Sequence, residues 1–377
     1  MTEETPAKTL LSNVSINSTV YPTLSSRSRY ISEPFGMTVT RLFLFGVLFL
    51  IALIGNFFVF TASVRNRRLR TYSYCLIMNL AISDFLSILG VPFLLVNEQL
   101  QPTWIYGSFL CLFINPSQVV CGLVTTNVHV AIAMDRYFSI VHPLRHNPFC
   151  RSHSHKGLMV VAIIWIVAVI CSTPAYIFRE LFTVVSISGV ALEFCIERFP
   201  PMGQLKYSWR HVYSVFLFVV NYLIPISFST MLYGNIVVYL KKSELNRKKS
   251  GRRISQSLRS EPRVDKNTTY VERRFIFMAI IIIVIFFFCY LPYQIVFLLS
   301  EFDRGVEWPY FRILFNVVYF ITWIPNAVNP ICYGAMDQQY AKAFRIICLS
   351  FRETSSKASQ SVSLSRGQSR RLIEEEV

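Results

Sequence analysis

Residues 109–137 read FLCLFINPSQVVCGLVTTNVHVAIAMDRY, a run with no Asp, Glu, Lys or Arg until Asp135-Arg136-Tyr137. A helix of about 20 apolar residues crosses the roughly 30 Å of a bilayer core, and this run is long enough. Carrying Asp135 or Arg136 to mid-membrane would cost about 2.5–3.5 kcal/mol each. An acid and a base standing together at the end of the run therefore mark a membrane exit, a functional site, or both.

The pattern recurs along the chain. Its 377 residues are 53% hydrophobic and 15% charged, with 32 Phe, too apolar for an ordinary soluble domain. Apolar stretches near 42–64, 74–96, 109–134, 157–178, 211–240, 275–299 and 309–334 make seven spans. They lack strand-like alternation, and backbone in lipid must satisfy its own hydrogen bonds, so the spans are helices. The expected fold class is an all-α membrane protein, a seven-transmembrane helix bundle over 41–335.

Basic residues orient it. Arg65, Arg67, Arg68 and Arg70 follow span one, and a dozen Lys and Arg from Lys241 to Arg274 separate spans five and six. Both links, and the C-terminus, are therefore expected in the cytoplasm. This topogenic charge accounts for most of the net +16 and argues against nucleic-acid binding; attraction to anionic inner-leaflet lipid suffices. The tail 1–40 has no apolar signal core. Its triplets at Asn13 and Asn17 are expected to be extracellular glycosylation acceptors. Residues 336–348 carry Tyr340, Phe344 and Ile347 at helical spacing, an amphipathic juxtamembrane helix whose Cys348 is a candidate for palmitoylation. Residues 349–377 read as a disordered Ser-rich cytoplasmic tail. Its end, Glu374 to Val377, is either a solvated acidic terminus or a docking peptide.

Polar residues inside the spans need partners or water. Asn56, Asn79, Asp84, Thr125, Asn127, Asn326 and Asn329 are such residues. Each amide can simply staple two helices. Asp84, a lone carboxylate, needs a cation, a proton or a strong donor.

Gly55-Asn56, Asn79 to Asp84, Asp135-Arg136-Tyr137, Trp165, Pro225, Phe286 to Pro292 and Asn329-Pro330-Ile331-Cys332-Tyr333 stand in order, one set per span. In this the chain resembles the rhodopsin-like (class A) family of G-protein-coupled receptors over about 40–348. The resemblance implies a plasma-membrane receptor that activates a heterotrimeric G protein, with arrestin as a further partner through the Ser-rich tail. It implies a switch in which Arg136 is held by Asp135 and by Glu272, and released when span six swings about Pro292. Phe286, Tyr290, Tyr137, Asn329 and Pro330 belong to that switch, with Tyr233 and Tyr333 stabilising the open form. Asp84, Thr125, Asn326 and Asn329 resemble the family's sodium pocket, and Cys111 and Cys195 its bridged pair. Tyr290 departs from the usual tryptophan, and Thr126 stands where isoleucine is common.

An amine receptor would hold an aspartate where this chain has Gln118, and an opsin a lysine where it has Trp323. Gln118 with Glu301 instead resembles receptors of the neuropeptide Y and tachykinin-like group, where a rim acid meets an arginine of a peptide. The expected pocket is Gln118, Asn221, Tyr293, Gln294, Glu301, Tyr319 and Trp323, amides mixed with aromatic faces. A small non-amine ligand is the alternative within the family. A pump or channel is the alternative outside it, but such proteins string several ionisable groups along one path, and Asp84 is essentially alone. No H-E-x-x-H, G-x-S-x-G or glycine-rich phosphate loop occurs, so no enzymatic activity is expected.

Overall fold

A computed structural model describes residues 31–69, 71–97, 103–142, 154–185, 189–203, 207–253, 266–304 and 307–349, with backbone alone at 154–155, 244, 246–253 and 266–273. Seven helices in it are long and apolar enough to cross a membrane. We number them α1 (Phe35–Arg65), α2 (Tyr72–Leu95), α3 (Gly107–Val141) and α4 (Ser154–Ile177). Next, α5 runs through Trp209–Phe218, a π turn at Val219–Leu223 and Ile224–Arg253. Then come α6 (Lys266–Glu301) and α7, which joins Phe311–Ile321 to Ile324–Met336. A last helix, α8, covers 338–349.

The helices overrun the expected spans because their polar ends continue past the hydrocarbon, where the backbone ladder still satisfies itself. α1 begins at Phe35, ahead of the boundary expected at 41. The residues just before it are already docked: Ile31 N donates to Pro309 O at 3.0 Å. Glu33 meets Arg41 at 2.5 Å and accepts from Asn316 of α7 at 3.3 Å. The expected acceptors Asn13 and Asn17 and the tail 350–377 lie outside the described residues.

Large apolar residues such as Phe43, Ile166, Ile170 and Phe288 point outward, a surface that only lipid would cover at low cost. Inside, polar groups join the helices. Asn56 Nδ2 donates to Ala52 O and, across to α7, to Asn326 O at 3.0 Å. Beside it a Cβ on Gly55 would lie 2.6 Å from Pro330 Cγ, so only glycine lets α1 approach α7 this closely. Trp165 Nε1 of α4 donates to Asn79 of α2 at 2.8 Å. Asn127 bonds Leu123 O of its own helix.

One element lies beyond the all-α reading. The link after α4 folds into a hairpin, β1 (Arg179–Val185) and β2 (Ala191–Glu197), antiparallel with Phe182 opposite Phe194. A disulfide from Cys111 at the start of α3 to Cys195 of β2 pins it, and Trp104 N donates to Glu193 O at 2.7 Å. At the other end, Asp337 starts α8. Its Oδ1 accepts from the N–H groups of Gln339 and Tyr340, its Oδ2 from Tyr74 at 3.0 Å. Tyr340 and Ile347 are buried, and Cys348 is exposed.

Candidate functional site

A cavity of about 320 Å³ lies among the helices at the hairpin end. Gln118, Asn221, Tyr293, Gln294, Tyr319 and Trp323 all line it. Gln118 is held by Ser87, which donates to its Oε1 at 2.7 Å and accepts from its Nε2 at 3.1 Å through the backbone carbonyl. Gly90 makes room, because a Cβ there would collide with Nε2. Asn221 sits in the π turn, four residues before Pro225, whose missing N–H interrupts the α-helical ladder. There it accepts from Thr126 Oγ1 of α3 at 2.9 Å. Tyr319 has ring centroids 5.8 Å from Tyr293 and 6.0 Å from Trp323.

Glu301 is the exception among the expected pocket residues. It does not line the cavity; Arg210 and Ser214, which do, bind it at 2.6 and 3.1 Å. Its side chain is 5% exposed and that of Arg210 47%. The acid offered to a ligand cation therefore already holds one. Arg179 likewise pairs with Glu197 and Arg198 with Glu180, so the rim is less acidic than its residue types suggest.

Asp84 lies at the deep end of the same cavity, 1% exposed. Its carboxylate accepts from Asn329 Nδ2 at 2.9 Å and from Thr125 Oγ1 at 3.4 Å. Thr125 also meets Ser83, at 2.5 Å, and Asn326 lines the space through which these groups face one another. Among the described residues no cationic side chain is within ion-pair distance of Asp84. A carboxylate with the Thr125 and Ser83 hydroxyls beside it offers hard oxygen donors of the kind a small cation takes, while Asn329 turns its amide nitrogen to Asp84.

One turn of α3 from Thr125 toward Arg136, His129 packs on the Phe286 ring at 5.5 Å, and Phe286 packs on Tyr290 at 4.3 Å. Tyr290 also lines the large cavity. Pro292 lies inside α6 without ending it, and Tyr222 of α5 donates to Phe287 O at 3.3 Å.

At the far end, Arg136 Nε donates to Asp135 Oδ2 at 3.0 Å, and Ser73 of α2 to the same oxygen at 2.7 Å. An Arg136 Nη also reaches Asp135 and Ser73. The guanidinium lies 4.2 Å from the ring centroid of Phe275 on α6, a cation–π contact. Tyr137 approaches His142 at 3.4 Å. The side chain of Glu272 lies outside the described residues. Tyr233 and Tyr333 line one small space of about 10 Å³ with His129 and Phe275. The Tyr333 hydroxyl is buried there with no hydrogen-bond partner among the described residues.

Ser73, Ser87, Phe275 and Ser214 escaped the sequence reading, as did the pairing of Arg210 with Glu301. Each acts on a residue distant in the chain, and a lone serine or an arginine at a helix start carries no local signal.

Residues 55–333 match the family described as 7 transmembrane receptor (rhodopsin family). The chain is 30% identical to prokineticin receptor 1 of Homo sapiens over 302 residues, 78% of this chain and 72% of that one. It is 28% identical to galanin receptor type 1 of Rattus norvegicus over 310 residues, 81% and 80% of the two chains. With somatostatin receptor type 5 of Rattus norvegicus it shares 26% identity over 301 residues, 79% and 75%. An ordered set of span motifs, seven membrane-length helices and a match over most of the chain converge: this protein belongs to the rhodopsin family of seven-transmembrane receptors.

Proposed function

We propose that this receptor takes the tip of an extracellular peptide into the cavity at the hairpin end and activates a heterotrimeric G protein at the Arg136 end. The observation that carries the reading is the convergence of Gln118, Asn221, Tyr293, Gln294, Tyr319 and Trp323 on one cavity that reaches Asp84. Relatives named for prokineticin, galanin and somatostatin favour a peptide over other ligands. The cavity of about 320 Å³ is at the low end of ligand sites, enough for a few residues, so the remainder of a peptide would lie on the hairpin. That modest volume also favours, as the second reading, a compact non-amine ligand.

The hairpin end faces outward in this proposal, and glycans would be carried at Asn13 and Asn17. A peptide arginine would exchange with Arg210 on Glu301, loosening the tie between α5 and α6. Gln118 and Asn221 would orient the peptide backbone through their free amide positions, and the aromatic rings would exclude water. α6 would then turn about Pro292, drawing Phe275 off Arg136, while Phe286 and Tyr290 shift with it. Freed from Asp135, Ser73 and Glu272, Arg136 would meet the G protein, with Tyr233 and Tyr333 closing on the opened form. A sodium ion would be held by Asp84 and Thr125, with Asn326 and Asn329 beside it, neutralising the buried carboxylate and so favouring the resting state. Palmitate on exposed Cys348 would anchor α8, and a phosphorylated tail would serve arrestin.

The test is guanine-nucleotide exchange by G proteins added to the purified receptor. Glu272→Ala is expected to raise exchange without ligand; no exchange with any G protein, even in that variant, would remove the coupling proposal. Arginine-containing amidated peptides should lose at least about tenfold potency on Glu301→Ala, since truncating one partner of a buried charge pair costs roughly 2–5 kcal/mol. Arg210→Gln should shift potency the other way by vacating Glu301. A peptide equally potent on wild type and Glu301→Ala would eliminate the rim-acid contact and favour the compact ligand.

A further inference from the structure

A groove of about 360 Å³ at the Arg136 end takes no part in the signalling path above. It lies between the end of α1, the short turn Arg67–Leu69 and α8. Its polar wall is Arg65, Asn66, Arg68, Gln339 and Lys342, and its apolar base is Ala62, Ala343, Ile346 and Ile347. Among the described residues no carboxylate lines it. The acid at the start of α8, Asp337, has both oxygens occupied by Tyr74 and by backbone N–H groups. None of Arg65, Arg68 and Lys342 belongs to an ion pair among the described residues.

Orientation by basic loops explains why cations sit at this end. It does not explain their convergence from segments about 275 residues apart, which the Ser63–Tyr340 contact at 2.9 Å, spanning 277 positions, holds together. A soluble anion would need the cations alone. Here the apolar base continues outward through Ile346, 63% exposed, and Leu349, as a surface for an acyl chain. We propose that this groove is a binding site for an anionic phospholipid of the cytoplasmic leaflet, its phosphate against Arg65, Arg68 and Lys342 and its upper acyl chain along Ile346 and Leu349. The leaflet named rests on the orientation proposed above; binding itself does not. The lipid ties α8 to the end of α1, so it fixes the angle at which the C-terminal tail leaves the bundle.

Full-length receptor in neutral detergent would be titrated with short-chain phosphatidylinositol bisphosphate and followed by native mass spectrometry. One saturable adduct is expected. Each basic residue at a membrane surface contributes about 1 kcal/mol, so Lys342→Gln and Arg68→Gln should each weaken it by about fivefold. Lys241→Gln with Lys242→Gln, two exposed cations at the same end of α5, should leave it unchanged. Ile346→Ser should weaken the lipid adduct and not binding of soluble inositol trisphosphate. Equal affinity of wild type and Lys342→Gln would overturn the site, as would an equal loss in the α5 pair, which would indicate diffuse attraction. Competition by inositol trisphosphate at the lipid's own affinity, with Ile346→Ser silent, would overturn the lipid in favour of a soluble polyphosphate. None of these outcomes depends on G-protein coupling or on the peptide.

Discussion

At the hairpin end the bundle encloses about 320 Å³ walled by amides, arginines and rings, whereas at the Arg136 end the space among Tyr233, Tyr333 and His129 is about 10 Å³. The charges differ in the same sense. Arg210 and Glu301 pair across two helices from 91 positions apart, while Arg136 pairs with its neighbour Asp135. A pair between helices reports on their separation and can be exchanged for a ligand's charge. A pair between neighbours is not stretched by moving helices, and opens only when the guanidinium is drawn to another partner. Release of Arg136 therefore depends on what else it touches, Ser73 on α2 and Phe275 on α6. In the proposed mechanism the open end would sense distance, and the closed end would change partners.

The sharpest way to break this contrast is at Arg136. Arg136→Ala should take receptor-stimulated nucleotide exchange to background, and Asp135→Asn should raise ligand-free exchange by about 5- to 150-fold, the span of typical allosteric couplings. Unchanged exchange in both variants would make the closed end merely structural. At the open end, Cys195→Ser removes a bridge across 84 positions and should cost about 2–4 kcal/mol of stability. That loss would appear as a lower Tm in detergent, reproduced in wild type by reductant. Between the ends, Gly55→Ala drives a Cβ against Pro330 and should cost about 1–3 kcal/mol. Gly234→Ala, with nothing within 4 Å of its Cβ, should instead gain about 0.5–1 kcal/mol.

The smallest effect expected is one of pH at the hairpin end. Burial pushes the Glu33 carboxyl up, but the hydrogen bond and charge of Arg41, with Asn316 and Thr38, outweigh it and hold the pKa below the ordinary 4.5. A carboxylate with a lowered folded pKa stabilises the fold above its unfolded value and loses that contribution as pH falls. Tm should thus decline as pH drops below 4.5, and Glu33→Gln should flatten that part of the decline. An identical slope in the variant would show that the Glu33 tie adds nothing measurable.

The helices were readable because lipid demands long apolar runs, which composition exposes directly. Asp135-Arg136-Tyr137 was readable because charge ends such a run. The residues of the large cavity followed from the order of motifs along the spans. The hairpin was not, since its strands lie in a link whose shape is set by Cys111 and by the Trp104 contact rather than by its own pattern. The partner of Glu301 was equally hidden: nothing near position 210 marks an arginine that will meet an acid 91 positions later. Pro225 was a visible sign of the π turn, though not of its consequence for Asn221.

The contact between Gly55 and Pro330 also has a mechanical meaning. Backbone meets ring there with no side chain to compress, seven residues after Trp323 and three before Tyr333 along α7. Such a contact is a fulcrum: α7 can tilt about it far more easily than it can slide past it. The spacing of α1 and α7 is thereby fixed at the level of Pro330, one turn before Tyr333.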